Sequence, residues 1–352
     1  MLLSMLAEIN SSTLFQANQS FPFHWDESGT DVLRFSLYII EGLLLLICDG
    51  LLLATIIRHQ ALLHQKEYVL LVGLTLADFL SGFGTFSSGI YRVIKVTAHT
   101  SNELVSKSEC LFTVHNLVWA FALPCAGLML LMVSVDRLLL VLTPLRYICW
   151  SHHYAWWLVA VAYLFCAIQW LLNVIRSSQS TEPEVTSLCL VPEALLELDY
   201  SVHVSVMTYS AAGSILVYIT LLLVYNRQLN AALDSMSEPS KRQKLKRQRK
   251  LTITIGLSCL CTFLFYVLPT FVMKLAHLIP SIDYSNIATW SWLIANLNPM
   301  LNLFIFALRQ IEVRMGLKAL LTCTSMPPDL NCWKRRTASV CVIYPVVDRH
   351  VT

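Results

Sequence analysis

The chain has 352 residues; 56% are hydrophobic and 13% charged, with 25 Lys and Arg against 22 Asp and Glu. Soluble domains carry about 25% charged residues, so this composition excludes a water-exposed globular domain and makes lipid the solvent. The net charge of +3 gives no ground for a nucleic-acid partner, whose footprint is a clustered basic face.

Residues 1–33 are expected to form an extracellular N-terminal tail. Its triplets Asn10-Ser11-Ser12 and Asn18-Gln19-Ser20 make Asn10 and Asn18 candidate glycosylation sites. The apolar start, 1–6, is too short for a signal-peptide core, so the first long apolar run is expected to serve as the targeting signal. Seven such runs follow, at 35–57, 69–90, 111–135, 155–175, 202–225, 251–272 and 287–308. About 20 residues carry a helix across ~30 Å of hydrocarbon. Backbone groups in lipid must bond within their own segment, so each run is expected to be a helix. The last five runs contain no Asp, Glu, Lys or Arg; the first two hold Glu41, Asp49 and Asp78.

Residues 310–321 are amphipathic, with Ile311, Met315, Leu317, Leu320 and Leu321 expected toward lipid and Arg314 and Lys318 toward water. The expected fold is thus an all-α membrane protein. A seven-transmembrane helix bundle with a short amphipathic eighth helix fills 34–322, and a disordered tail occupies 323–352. Cys323 is a candidate palmitoylation site. Thr337 and Ser339, after Lys334-Arg335-Arg336, are candidate phosphosites.

Basic residues orient the bundle. Arg58 and Lys66, Arg137 and Arg146, eight residues in 227–250 and seven in 309–352 lie on one side. Arg34, Arg92, Lys95, Lys107, Arg176 and Lys274 lie on the other. Lys and Arg stay cytoplasmic, so an extracellular N-terminus and a cytoplasmic C-terminus in the plasma membrane are expected. Of eleven cysteines only Cys110 and Cys189 fall in outer segments. The oxidising exterior then favours a disulfide between them, which would pin 176–201 over the mouth of the bundle. Asp78 lies mid-bilayer, where an acid is functional by default. Two nearby carboxylates do not both ionise cheaply, so Asp49 and Asp78 are expected to share one proton.

Short motifs fall at matched depths. They are Leu76-Ala77-Asp78, Ser134-Val135-Asp136-Arg137-Leu138, Leu142-Thr143-Pro144-Leu145-Arg146-Tyr147, Phe263 with Pro269, and Asn298-Pro299-Met300-Leu301-Asn302 before Phe306. Together they resemble a rhodopsin-like (class A) G-protein-coupled receptor over roughly residues 32–323. The spelling of 51–60 and 151–156 resembles an orphan branch of that family. The resemblance implies that Asp136 holds Arg137 until the sixth helix swings outward and a heterotrimeric G protein enters. Pro144, Phe263, Pro269, Asn298, Pro299 and Asn302 then belong to the coupling machinery. The residues support this on their own: Arg137 is a permanent cation beside an acid. Pro269 and Pro299 each remove a mid-helix hydrogen bond and should kink their helices.

Departures from the pattern stand beside it. Leu138 and Asn302 replace tyrosines, Val267 a tryptophan, and Asp49 an asparagine. Arg249 stands where some relatives carry an acid. Ala126, Val267, Ile294 and Ala295 remove the support that a sodium ion at Asp78 would need.

The ligand cavity is expected among the outer thirds of the helices, with His115, Trp119, Lys274, Trp290 and Trp292 as candidate pocket residues. Trp119 stands where amine receptors carry an aspartate, so a biogenic amine is not expected; the extracellular ligand stays unidentified. The run KRQKLKRQRK in 241–250 reads as an inner extension of the sixth helix meeting the G protein, with anionic lipid as a further partner. A non-signalling or constitutively active seven-helix protein stays open as an alternative. A transporter would call for internal repeats and broken helices. His152 and His153 are adjacent and lack companions at ligand spacing, so neither enzyme activity, metal nor cofactor is expected.

Overall fold

The structure, a computed structural model, describes residues 29–234, 253–254, 256–277 and 284–322. Among them the long helices are α1 (Gly29–Arg58), α2 (Lys66–Thr97), α3 (Val114–Leu142), α4 (His153–Ser177) and α5 (Glu197–Asp234). The apolar run α6 (Gly256–Val272) contains a π-helical turn, Phe263–Val267, and continues through Leu268–His277. Then come α7 (Tyr284–Arg309) and α8 (Ile311–Leu321). Six of these are long and apolar enough to cross a membrane, and α6 is a shorter apolar helix. Asn10, Asn18, Cys323, Thr337, Ser339 and the basic run 241–250 lie outside the described residues.

The bundle is inside-out relative to a soluble one. On α4 the exposed stripe is Trp157, Val161, Leu164, Ile168, Leu171 and Ile175. Its steps of four and three residues trace one helical face. The opposite face buries Ala155, Ala162, Cys166, Gln169, Asn173 and Ser177. Small and polar residues therefore point inward and large apolar ones toward lipid. Close approach does the same work between α1 and α2. A Cβ on Gly89 would sit 2.8 Å from the Ile39 amide nitrogen, and one on Gly82 2.7 Å from the Leu45 Cβ. Tyr163 and Trp170 tie α4 to its neighbours, donating to Gly73 O (2.8 Å) and Leu117 O (3.0 Å).

Two short strands were not legible in the sequence. β1 (Leu104–Ser106) pairs antiparallel with β2 (Pro183–Thr186), Val105 opposite Val185. Three or four residues are too few for a period-two pattern. Ser106 and Glu109 form a capping box on the single turn Lys107–Leu111. That turn carries Cys110, which is disulfide-bonded to Cys189 beyond β2.

On α8 the buried stripe is Val313, Gly316 and Ala319, packed toward α1, where a His59 ring nitrogen lies 3.3 Å from Gly316 O. Ile311 and Leu321 are exposed, as are Arg314 and Lys318. The helix therefore has a bundle-facing side of small residues besides the lipid and water faces read from its sequence.

Candidate functional site

At one end of the bundle, the acid and base of α3 are wholly inside the protein. Asp136 is 0% and Arg137 1% exposed. Arg137 Nε donates to Asp136 Oδ2 at 3.0 Å, and its Nη2 donates to the same oxygen. The third member is Tyr147, on the short helix Pro144–Cys149. Its hydroxyl donates to Asp136 (2.9 Å) and accepts from Arg137 Nη2 (3.1 Å). Burial pushes the Tyr147 phenol well above its ordinary value, so it keeps its proton and remains a donor. Lys66, at the start of α2, holds the other side of this tyrosine. Its ammonium donates to Tyr147 O and stands 3.5 Å over the ring centroid.

These contacts explain why α3 runs seven residues past the apolar stretch ending at 135. A hydropathy reading stops at the first charge, but Asp136 and Arg137 neutralise each other inside the fold. Tyr147 was quoted only as part of a motif. No period or spacing marks its hydroxyl as a partner of Asp136, because the turn that folds it back is tertiary.

Below the ion pair, a crevice is lined by Tyr68, Leu71, Leu74, Leu130, Val133 and Phe306 among others. Helix α6 borders it through Ser258. Ser134 Oγ lies 3.7 Å from Cys259 Sγ, and Thr262 Oγ1 donates to Asn298 Oδ1 at 3.1 Å. Just before α6, Thr254 Oγ1 accepts from Gln310 Nε2 (2.8 Å) and Arg309 Nε (3.3 Å), at the junction of α7 and α8.

The irregularity expected at Pro269 takes the form of the π turn just before it, with Leu268 N–H bonded to Phe263 O. Pro269 offers no N–H to the carbonyl four residues back, and the widened turn relieves that mismatch. One extra residue also rotates what precedes it. Phe263 is consequently 42% exposed on the outer face and is not brought to the Arg137 cluster. Pro299 lies within a continuous α7. Pro144 and Asn302 lie on helices, their side chains outside the described set.

In the bundle middle, Asp49 on α1 is 0% exposed, and neither of its oxygens has a hydrogen-bond partner. Asp78 on α2 is close enough for the two carboxylates to act on each other. One layer outward, Glu41 Oε2 accepts from Asn296 Nδ2 at 2.9 Å, joining α1 to α7. That pair was missed, since nothing local links residues 255 apart in sequence.

The opposite end is built around the disulfide. Asn116 Nδ2 donates to both Cys110 O (2.9 Å) and Cys189 O (3.0 Å). Tyr91 donates to Ser187 O at 3.0 Å. Beneath this cover, His115 and Trp292 each meet the Trp119 ring edge-on, at centroid distances of 5.9 Å. Trp119 is 2% exposed and donates to Ser81 O (3.3 Å); a Cβ on Gly84 would lie 2.6 Å from its ring. Three predicted pocket residues thus converge, on the α2 and α7 side of α3. Trp290 does not join them. It is 52% exposed, two residues and about 200° of helix from Trp292. Lys274 lies on the stretch after the π turn, its side chain outside the described set. Arg92, read from sequence only as a topogenic charge, is 3% exposed and donates to Leu188 O (3.1 Å) and Cys189 O (3.4 Å).

Among the described residues, no group of three or more His, Cys, Asp or Glu could hold a metal ion. Residues 49–306 match the family model described as "7 transmembrane receptor (rhodopsin family)". The match spans Asp49, Asp78, the Asp136–Arg137 pair and Asn298-Pro299.

Proposed function

Because the chain belongs to the rhodopsin family of seven-transmembrane receptors, we propose that it passes the binding of an extracellular ligand at the Cys110 end to a heterotrimeric G protein at the Arg137 end. In this reading the protein sits in the plasma membrane with residues 1–33 outside and 323–352 in the cytoplasm, as the placement of Lys and Arg favours. The observation that carries it is the buried triangle of Asp136, Arg137 and Tyr147. A cation so enclosed is held in reserve, and it becomes useful to a partner only if the helices around it part. In this reading α6 is the part that moves, because it carries a π turn just before Pro269. Pro144, Asn298, Pro299 and Asn302 serve the same movement. A ligand shifts the equilibrium only by its differential affinity for the two states.

The test is G-protein recruitment by wild type and Arg137→Ala, first without ligand and then with a compound library. Arg137→Ala is expected to lower recruitment by about tenfold or more, the scale of one lost charged contact. A wild type with the same baseline as Arg137→Ala and no response to any compound would favour a receptor-shaped protein that does not signal.

We also propose that Asp49 and Asp78 share one proton in the resting state. Asp49→Asn keeps the shape and removes one acid. Ligand-free signalling measured across pH should then change its profile relative to wild type. Superimposable profiles would remove the idea.

A further inference from the structure

We propose that Arg92 is the anion-recognition group of the ligand site, and that the ligand carries a carboxylate on an aromatic body. This rests on the receptor reading above and names the chemistry of its ligand. Charged groups taken out of water are normally paired with an opposite charge. Three other outer-end cations are paired in this way. Arg34 pairs with Asp31, Lys107 with Glu184 and Arg176 with Asp199. Arg92 is the most deeply buried of the four, yet among the described residues no carboxylate is in ion-pair contact with it. Glu193 lies within electrostatic range, but its carboxylate accepts from Thr186 Oγ1 at 2.8 Å.

What Arg92 has instead is two backbone carbonyls, and one of them is crowded. Cys189 O receives Arg92 Nη2 at 3.4 Å, Asn116 Nδ2 at 3.0 Å and a His115 ring nitrogen at 3.4 Å. A carbonyl oxygen has two lone pairs, so the guanidinium makes the longest and least satisfied of its contacts there. Cys189 itself sits at φ 51°, a left-handed conformation unfavourable for a non-glycine residue. A carboxylate taking the place of these carbonyls would give the fork two charge-assisted bonds.

The surroundings select the rest of the ligand. The guanidinium carbon stands 5.6 Å from the Trp119 ring centroid and 5.7 Å from that of Phe35. Trp119 continues into His115 and Trp292. An anion seated on Arg92 therefore has aromatic walls beside it, which suit a flat apolar body. The carboxylate could belong to a small acid or to a peptide C-terminus, and these are separated below.

The experiment measures binding without any G protein, so a failure of coupling cannot be mistaken for a failure of recognition. Full-length receptor in lipid nanodiscs is titrated with phenylacetate, 3-phenylpropionate and indole-3-acetate, each beside its primary amide. A second arm uses short peptides ending in Phe or Trp, with free or amidated C-termini. Binding is followed by thermal shift. In at least one arm the acid is expected to bind roughly tenfold more tightly than its amide, the scale of a charge-assisted bond. That preference should persist in Lys107→Gln, shrink in Arg92→Lys, which keeps charge but not the fork, and vanish in Arg92→Gln. If Arg92→Gln fails to fold, Arg92→Lys and the wild-type comparison still decide. No acid preference in either wild-type arm, or one undiminished in Arg92→Lys or Arg92→Gln, overturns the proposal and leaves Arg92 as a brace for the loop.

Discussion

Asp136→Asn is expected to raise ligand-free G-protein nucleotide exchange by about tenfold or more while lowering thermal stability. The guanidinium of Arg137 and the carboxylate of Asp136 are both almost fully enclosed. Removing one member of such a pair costs roughly 3–5 kcal/mol, because the other is left buried and uncompensated. Any arrangement that lets Arg137 reach water or a partner avoids part of that cost. Each 1.4 kcal/mol so regained shifts the equilibrium about tenfold toward the open state. Tyr147→Phe is the milder companion. It deletes the hydroxyl that bonds Asp136 and Arg137 but keeps the ring beneath Lys66. One such bond is worth about 1 kcal/mol, so a rise of roughly fivefold is expected. Receptor reconstituted with purified G protein gives the comparison. Unchanged exchange in Asp136→Asn at equal receptor density would show that the triangle is not the restraint.

Cys110→Ser is expected to cost roughly 2–5 kcal/mol of stability, the usual range for a native disulfide. Its effect should fall first on the outer end. The bridge joins residues 79 apart in sequence, and it fixes β2 and Cys189 against the tops of α2 and α3. Without it, Tyr91 still holds Ser187, Arg92 holds Leu188 and Asn116 holds Cys189 through hydrogen bonds. Those bonds are worth about 1 kcal/mol each in net terms and do not replace a covalent closure. A lower thermal midpoint of receptor in nanodiscs, with less folded protein at the cell surface, is the predicted outcome. A melting curve identical to wild type would mean that the loop is placed by its hydrogen bonds alone.

Much of the Arg137 end could be read directly. Asp136 and Arg137 are neighbours in the chain, so their pairing needs no long-range knowledge. Pro269 announces an irregular α6, since a missing N–H is a local fact. Its local form, a π turn that sends Phe263 outward, depends on how neighbouring helices tolerate one extra residue. Trp119 and Trp292 meet each other, whereas Trp290 is turned away from them. Along α7 the choice between pocket and lipid is a matter of helix rotation, which composition does not record.

The sequence by itself determined the solvent, the number of crossings and the residues that close the disulfide. These follow from stretches of apolar residues long enough for a bilayer and from charges at their edges, both additive along the chain. Only the tertiary structure decided which charges at those edges are buried. Arg92, Asp136 and Arg137 lie at or beyond the ends of apolar runs, where hydropathy does not say whether a charge is enclosed. Asp136 and Arg137 are enclosed as a pair, and Arg92 is covered by a loop from more than ninety residues away. Whether a charge is buried depends on what folds over it, and that is a property of the packed chain rather than of any segment.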